Sequence, residues 1–261
     1  MIELTQYDGT KLELDEKPKS IISLVPSVTE NLIQFGKIPI ARTSFCIEPA
    51  EVVKKIPVIG GTKTPRISKI ISMKPDLVIA NQEENLKEHI EEIKSAGIPV
   101  WVDFQHQVLQ IPRLLNELSS LCDSTSIGHG WTEKVQHMLH QKFQWERTPR
   151  VVALIWKNPW MAVGKETYAS DLIRFCGGEN LIQGRYPEIS VDVIRKQKVD
   201  ILLLPSEPYK FVLSDVDEWK KIVSDVFLFS GEDLFWSGTR FLDAVKSLTE
   251  ICKGFEKNQL K

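Results

Sequence analysis

The chain is poor in cysteine, and the cysteines it has are not spaced for metal or redox work. Cys46, Cys122, Cys176 and Cys252 are scattered through 261 residues without a CxxC pair. That excludes a zinc knuckle and a thioredoxin-type redox motif. One disulfide, Cys176 with Cys252, stays open for an exported protein; otherwise the four read as buried, inert thiols. No run of about eighteen apolar residues is present, so no helix is expected to span or insert into a membrane. Neither sign of charge is in excess. Lys and Arg number 33 against 35 Asp and Glu, a net charge of −2, which gives no reason to expect nucleic acid or an anionic membrane as partner. Catalytic signatures are missing too: there is no G-x-S-x-G, no GxGxxG and no P-loop. Gly60-Gly61-Thr62-Lys63-Thr64 resembles a piece of a phosphate loop but lacks its spacing. No nucleophile stands at a recognisable distance from a base, so no enzyme is expected. The histidines (His89, His106, His129, His137 and His140) lie mostly on two helical stretches. His137 with His140 would make half a metal site without a third ligand, and no metal site is expected. The N-terminus lacks the basic and apolar regions of a signal peptide. Either Met1 is a native cytoplasmic start or a leader preceded it.

What is present is a repeated plan. Ile21–Val25 is a short apolar run followed by a helical stretch that closes at Gly36, and Val151–Ile155 is another, with its helix closing at Gly177-Gly178. Lys74-Pro75-Asp76 leads into Leu77–Ala80, as Lys198-Val199-Asp200 leads into Ile201–Leu204. Pro99–Val102 has its counterpart in Val226–Phe229. Residues 1–19 read as a hairpin or extended arm with a turn at Asp8-Gly9. Ser27 and Glu30 fit an S-x-x-E capping box. Glu83–Ala96 reads as a charged amphipathic helix stopped by Gly97, and a final helix is expected from about Arg240 to Phe255. Strand–helix alternation favours parallel sheets with right-handed crossovers.

Between the halves the pattern changes. From Ile127 to Trp145 there is no proline, and Val135, Met138, Leu139 and Phe143 follow helical spacing. This predicts a stiff bridging helix of about 20 residues and roughly 30 Å, which would limit movement of the lobes. The fold expected is α/β, two Rossmann-like lobes with parallel sheets joined by that helix. The expected divisions are 1–123, 124–148 and 149–261. A cleft between two such lobes is a common place for a small ligand.

Several segments taken together resemble a known family. Ser20–Glu30, Ile59-Gly-Gly-Thr62, Ile67–Met73, Lys74–Ala80, Asn158-Pro159, Gly164-Lys165-Glu166 and Cys176–Asn180 occur in the order found in the helical-backbone substrate-binding proteins of ABC importers. The likeness covers about residues 18–252 and is strongest to the cobalamin-binding members, with iron-siderophore binders also similar. The resemblance implies a protein that holds cobalamin, or a similar corrinoid, haem-like or ferric-chelate ligand, between its lobes without altering it. No covalent cofactor is expected, and an ABC permease is the implied partner, in the periplasm or cell envelope. The alternatives are a cytoplasmic corrinoid or metal-chelate carrier on the same fold and, in a different class, a cleft enzyme or metal-site protein.

Phe45, Trp156, Trp160, Tyr186 and Trp236 follow or separate predicted elements, and rings suit the apolar faces of a flat macrocycle. The resemblance places Phe45, Trp156 and Tyr186 against the ligand. Pro26 and Ser27 open a helix whose amides could meet ligand oxygens, or merely cap it. Thr62 follows the paired glycines. Asp233 and Arg240 match the acidic and basic residues that reach ligand polar groups in the relatives. The permease-docking carboxylates correspond to Ser68 and Asp192, of which only Asp192 is charged; Glu83, Glu84 and Glu207 stand as substitutes.

Overall fold

The computed structural model describes residues 1–123 and 125–259, with side chains through Glu256. Ser124, where the bridging segment was expected to begin, and the last two residues of the second lobe lie outside the described residues. The chain divides into two units. The first is Met1–Phe104 with Ile111–Lys134, and the second is Gln105–Gln110 with Val135–Lys261.

In the first unit Ile2–Thr5 (β1) and Lys11–Leu14 (β2) form the antiparallel hairpin. The Asp8 carboxylate closes its turn by accepting from the Thr10 amide at 3.0 Å and hydroxyl at 2.6 Å. Then follow Ile21–Ser23 (β3), Pro26–Gln34 (α1), Ala41–Arg42 (β4), Ala50–Val53 (α2), Ile67–Ser72 (α3), Leu77–Asn81 (β5), Lys87–Ser95 (α4) and Val100–Asp103 (β6). Ile111–Ser120 (α5) and Ser126–Leu139 (α6) complete it, with the unit boundary inside α6. The sheet is parallel throughout, in the order β4-β3-β5-β6. Its strands are buried on both faces, which explains why Ile21–Ser23 and Leu77–Ala80 show no polar alternation.

In the second unit Val151–Trp156 (β7) is followed by Met161–Ala162 (β8), Tyr168–Phe175 (α7), Val191–Lys196 (α8), Ile201–Pro205 (β9), Leu213–Trp219 (α9), Asp225–Phe229 (β10), Gly231–Phe235 (α10) and Phe241–Gln259 (α11). The order is β10-β9-β7-β8. Taken by rank within each half, both sheets run fourth, third, first, second. The repeat departs in one place: β8 is antiparallel to β7, whereas β4 is parallel to β3. The expected two-lobed α/β fold with parallel sheets is therefore present, with β8 as the exception.

The repeated Lys-x-Asp motifs have one physical job. The backbone of Asp76 and Leu77 donates to the Ser20 carbonyl, and the backbone of Asp200 and Ile201 donates to that of Arg150. The two carboxylates complete each clamp. Asp76 accepts from the Ser20 amide at 2.8 Å and Asp200 from the Arg150 amide at 2.9 Å. The lysines two residues earlier both have positive φ, 45° at Lys74 and 51° at Lys198. Each motif locks the entry of a central strand to that of its neighbour.

Three local expectations differ from the structure. The capping box does not form: α1 starts at Pro26, Val25 is the N-cap and no side chain caps it. Proline's fixed φ suits the first helical position, so it sets the start one residue before Ser27. The helix expected from Glu83 begins at Lys87, because the Asn81 side-chain Oδ1 accepts from the Glu83 and Glu84 amides at 2.8 and 3.3 Å and holds a turn there. The run expected to reach Trp145 is helical only to Leu139. Beyond it the Trp145 indole donates to the Cys176 carbonyl at 3.0 Å, and Phe143 packs edge-on against Phe175 at 5.7 Å. Tertiary packing on α7 overrides local propensity there. Gln105–Gln110 also joins the second unit, where the Asp171 carboxylate accepts from the Val108 amide at 2.8 Å.

All four cysteines are reduced and buried, so Cys176 and Cys252 are not joined. Burial pushes the Cys122 thiol up to about 11 and Cys252 up to about 12, as expected of inert core thiols.

Asp200→Ala should cost about 2 kcal/mol of stability by stranding the Arg150 amide at the entry of β7. Urea denaturation of the variant beside the parent measures the loss.

Candidate ligand-binding site

In parallel α/β sheets ligands sit beyond the carboxyl ends of the strands, where the winding reverses. The strand order places that reversal beside β3 in the first unit and beside β7 in the second. The loops at those ends contain most of the residues singled out from sequence.

At the end of β3 the chain turns sharply into α1. The turn is built on a buried hydroxyl–thiol cluster. The Thr29 hydroxyl donates to the Ser23 hydroxyl at 2.8 Å or the Val25 carbonyl at 2.9 Å, and Thr29 and Thr43 flank the Cys46 sulfur at 3.1 and 3.2 Å. Pro26 and Ser27 are buried in the first turn of α1. Nearby, Phe45 leaves β4 with 58% of its surface exposed. Its ring edge lies where a Cβ on Gly61 would approach to 3.3 Å. At Gly60, φ is 108° and a Cβ would come within 2.4 Å of the Thr64 carbonyl oxygen, so this position requires glycine. The Asn85 amide donates to the Thr62 carbonyl at 3.1 Å, while its oxygen accepts from the Asn81 amide at 2.8 Å. Phe45, Thr62 and the start of α1 thus share one edge of the first sheet.

At the end of β7 Trp156 is 43% exposed. It heads a ladder of rings. Trp156 meets Tyr209 edge-on at 5.7 Å, Tyr209 meets Phe211 at 4.7 Å, Phe211 stacks on Trp160 at 6.3 Å, and Trp160 meets Trp219 at 5.0 Å. Trp160 is an inner rung, packed on the core, while Trp156 is the rung that faces out. Lys157 next to it is engaged: its ammonium donates to Asp215 at 2.6 Å and Glu218 at 2.9 Å, and these bonds hold its proton more tightly than usual. Tyr186 is 37% exposed, with the Arg185 guanidinium 5.9 Å from its ring centroid. It follows a close approach in which a Cβ on Gly164 would lie 2.2 Å from the Gly184 carbonyl oxygen.

The end of β10 carries the polar residues. Asp233 and Arg240 form an ion pair at 2.8 Å, and the Arg240 guanidinium also lies 5.3 Å from the Trp236 ring centroid. Trp236 itself is only 4% exposed, so it supports Arg240 more than it offers a face. Arg240 precedes α11 rather than opening it.

Sequence reasoning placed Glu207 only among stand-ins for a docking charge. The structure puts it at the end of β9, two residues before Tyr209. A Cβ on Gly231 would approach the Glu207 Cγ to 2.3 Å. Burial, with Glu232 nearby, pushes its carboxyl up to about 7, against the opposing hydrogen bond from Trp236 and the charge of Arg240. The available signal was a carboxylate two residues after the buried run Ile201–Pro205.

Ser68 and Asp192 are the second residues of α3 and α8, which hold matching places in the repeat; both are exposed, with Asp192 3.5 Å from Arg195. Among the described residues no three His, Cys, Asp or Glu side chains are grouped to hold a metal, and no helix is long and apolar enough to cross a membrane.

Two α/β units in tandem, with rings and polar groups at the strand ends, have the architecture of the helical-backbone class of binding proteins. The chain belongs to the periplasmic binding protein family, whose model matches residues 21–222. It is 23% identical over 251 residues to the vitamin B12-binding protein of Vibrio campbellii, covering 90% of this chain and 89% of that one. Its fold matches the periplasmic vitamin B12 binding protein BtuF of Vibrio cholerae with a TM-score of 0.80 at 18% identity, over 92% of this chain and 99% of that one. The periplasmic heme-binding protein RhuT from Roseiflexus sp. RS-1 matches with a TM-score of 0.74 at 19% identity, over 91% and 98%.

Glu207 has a folded-state pKa above its unfolded value of 4.5. The folded chain therefore keeps a proton that the unfolded chain releases, and stability falls as pH rises from about 4.5 to about 7. Glu207→Gln should stabilise the protein by about 2 kcal/mol at pH ~8, and the gain should vanish toward pH ~4.5. Thermal melts of both proteins across that range measure it.

Proposed function

We propose that this chain is the ligand-capturing component of an ABC-type importer and that it holds a corrinoid, with cobalamin first among candidates. Trp156 carries the reading: a large ring, almost half exposed, presented at the site end of β7 by a packed ladder that fixes its orientation. A rigid ring loses little entropy when it covers the apolar face of a macrocycle. Phe45 in the first unit and Tyr186 in the second are exposed rings of the same kind. Asp233 and Arg240, paired with each other, present charged edges to the amide and phosphate fringe of such a ligand. In the first turn of α1, Pro26 has no N–H and sets the start, while Ser27, with Thr62 beside it, offers a backbone donor. Trp160 and Trp236 act from behind, as supports.

The work of such a protein is binding and release, without covalent change to the ligand. Its place is the cell envelope, where the family acts, and its partner is an ABC permease. Asp192 is the docking carboxylate of the second unit. Ser68, at the matching place in the first, has no charge to offer a basic permease surface, so docking relies on Asp192 more than on its counterpart.

Titration with cyanocobalamin, haemin and a ferric siderophore, followed by tryptophan fluorescence, tests the reading. Cobalamin should quench Trp156, and Trp156→Ala should weaken its binding by about tenfold or more. Cobalamin binding too weak to detect at micromolar concentration would reject the corrinoid assignment, and an unchanged affinity in Trp156→Ala would reject the role of the ring.

A further inference from the structure

Glu207 sits on the loop whose Tyr209 ring supports Trp156, at the proposed ligand edge. Ser206, Glu207 and the start of α10 interlock. The Gly231 amide donates to the Ser206 hydroxyl at 2.8 Å, and that hydroxyl lies 3.1 Å from the Glu232 carboxylate. The Ser230 hydroxyl lies 3.2 Å from the same carboxylate. The Trp236 indole hydrogen-bonds to Glu207. Arg240, the cation acting on Glu207, already faces Asp233 at 2.8 Å. Glu207 and Asp233 therefore share the Arg240 guanidinium, and the Glu232 carboxylate adds a further negative charge near Glu207.

Building on the corrinoid reading above, we propose that Glu207 sets ligand selectivity, admitting a macrocycle fringed with neutral amides and rejecting one fringed with ionised carboxylates. An amide N–H meeting the Glu207 carboxylate makes a charge-assisted hydrogen bond. A propionate meeting it brings two like charges together in a partly desolvated place, which is costly. Discrimination of this kind works by repelling the wrong ligand as much as by attracting the right one. The groups facing Glu207 are Glu232, Trp236 and Arg240, with Asp233 behind Arg240. Burial and Glu232 favour its proton, while Trp236 and Arg240 favour its anion. The balance leaves it titrating near neutrality, so rejection of carboxylates should relax as pH falls.

Dissociation constants for cyanocobalamin and haemin are to be measured at pH ~8 and pH ~6 for the parent, Glu207→Gln and Glu232→Gln. In Glu207→Gln at the higher pH, haemin should gain on cobalamin by about tenfold. The parent should show the same drift toward haemin at the lower pH, and Glu207→Gln should show none. Glu232→Gln should move the parent's pH response to lower pH, and this arm decides the matter even if Glu207→Gln folds poorly. A haemin-to-cobalamin ratio unchanged within about twofold in Glu207→Gln overturns the proposal, as does an equal loss of both ligands, which marks a structural role only. A parent that binds neither ligand overturns the corrinoid reading, and this selectivity with it.

Discussion

Parallel neighbours can be joined only by crossovers, and the helices of those crossovers cover both faces of the sheet. That requirement governs this molecule. With both faces of β3, β5, β7 and β9 buried under helices and loops, neither sheet has a face left for a ligand. Only the strand ends and the loops beyond them remain accessible. The reversal of winding beside β3 and β7 keeps the connecting loops from closing over those ends. The placing of Phe45, Trp156, Glu207 and Arg240 at such ends follows from how the strands are connected and the sheets covered.

The strand ends are useful only if they are held still. The second unit achieves this with rings: from Trp156 to Trp219 each aromatic side chain is braced by the next. The first unit uses small polar groups, with Ser23, Thr29, Thr43 and Cys46 tying the β3–α1 turn to the loop after β4. At the other ends of the central strands, Asp76 and Asp200 clamp the strand entries. A displacement of β7 along its length would have to break the Arg150–Asp200 contacts before it moved Trp156. Stability at one end of the strand is thereby linked to the placing of Trp156 at the other.

The repeat was legible because its physics is local. Apolar runs without polar alternation mark strands buried on both faces, and the two Lys-x-Asp motifs mark their entries. What escaped depended on partners far away in the chain. Nothing near Trp145 announces that its indole will find the Cys176 carbonyl, so the helix was expected to continue past Leu139. Proline outranked serine at the start of α1, although both signals stood in the same few residues. The hairpin that makes β8 antiparallel was hidden in Asn158-Pro159, read as part of a family motif rather than as a reversal of chain direction. At the site, exposed rings after strands could be picked out, but sequence alone could not rank them. Trp156, Trp160 and Trp236 look alike in the chain, but packing leaves the first exposed, sets Trp160 behind it in the ladder and buries Trp236 beside Arg240.

Glu207 shows why electrostatics resist sequence reading. Its glutamate neighbour in space, Glu232, is 25 positions away in the chain, and the glycine that lets the two loops meet, Gly231, has no charge to draw attention. Once they meet, burial and like charge raise the carboxyl while Trp236 and Arg240 pull the other way, and the sign of the result depends on all four. An edge tuned by such a balance responds to its surroundings more than a fixed ion pair would. Arg240 does not supply that response, because an arginine keeps its proton across the physiological range. Glu207, poised near neutrality, is the member of the group whose charge a change of compartment, or an arriving ligand, would alter.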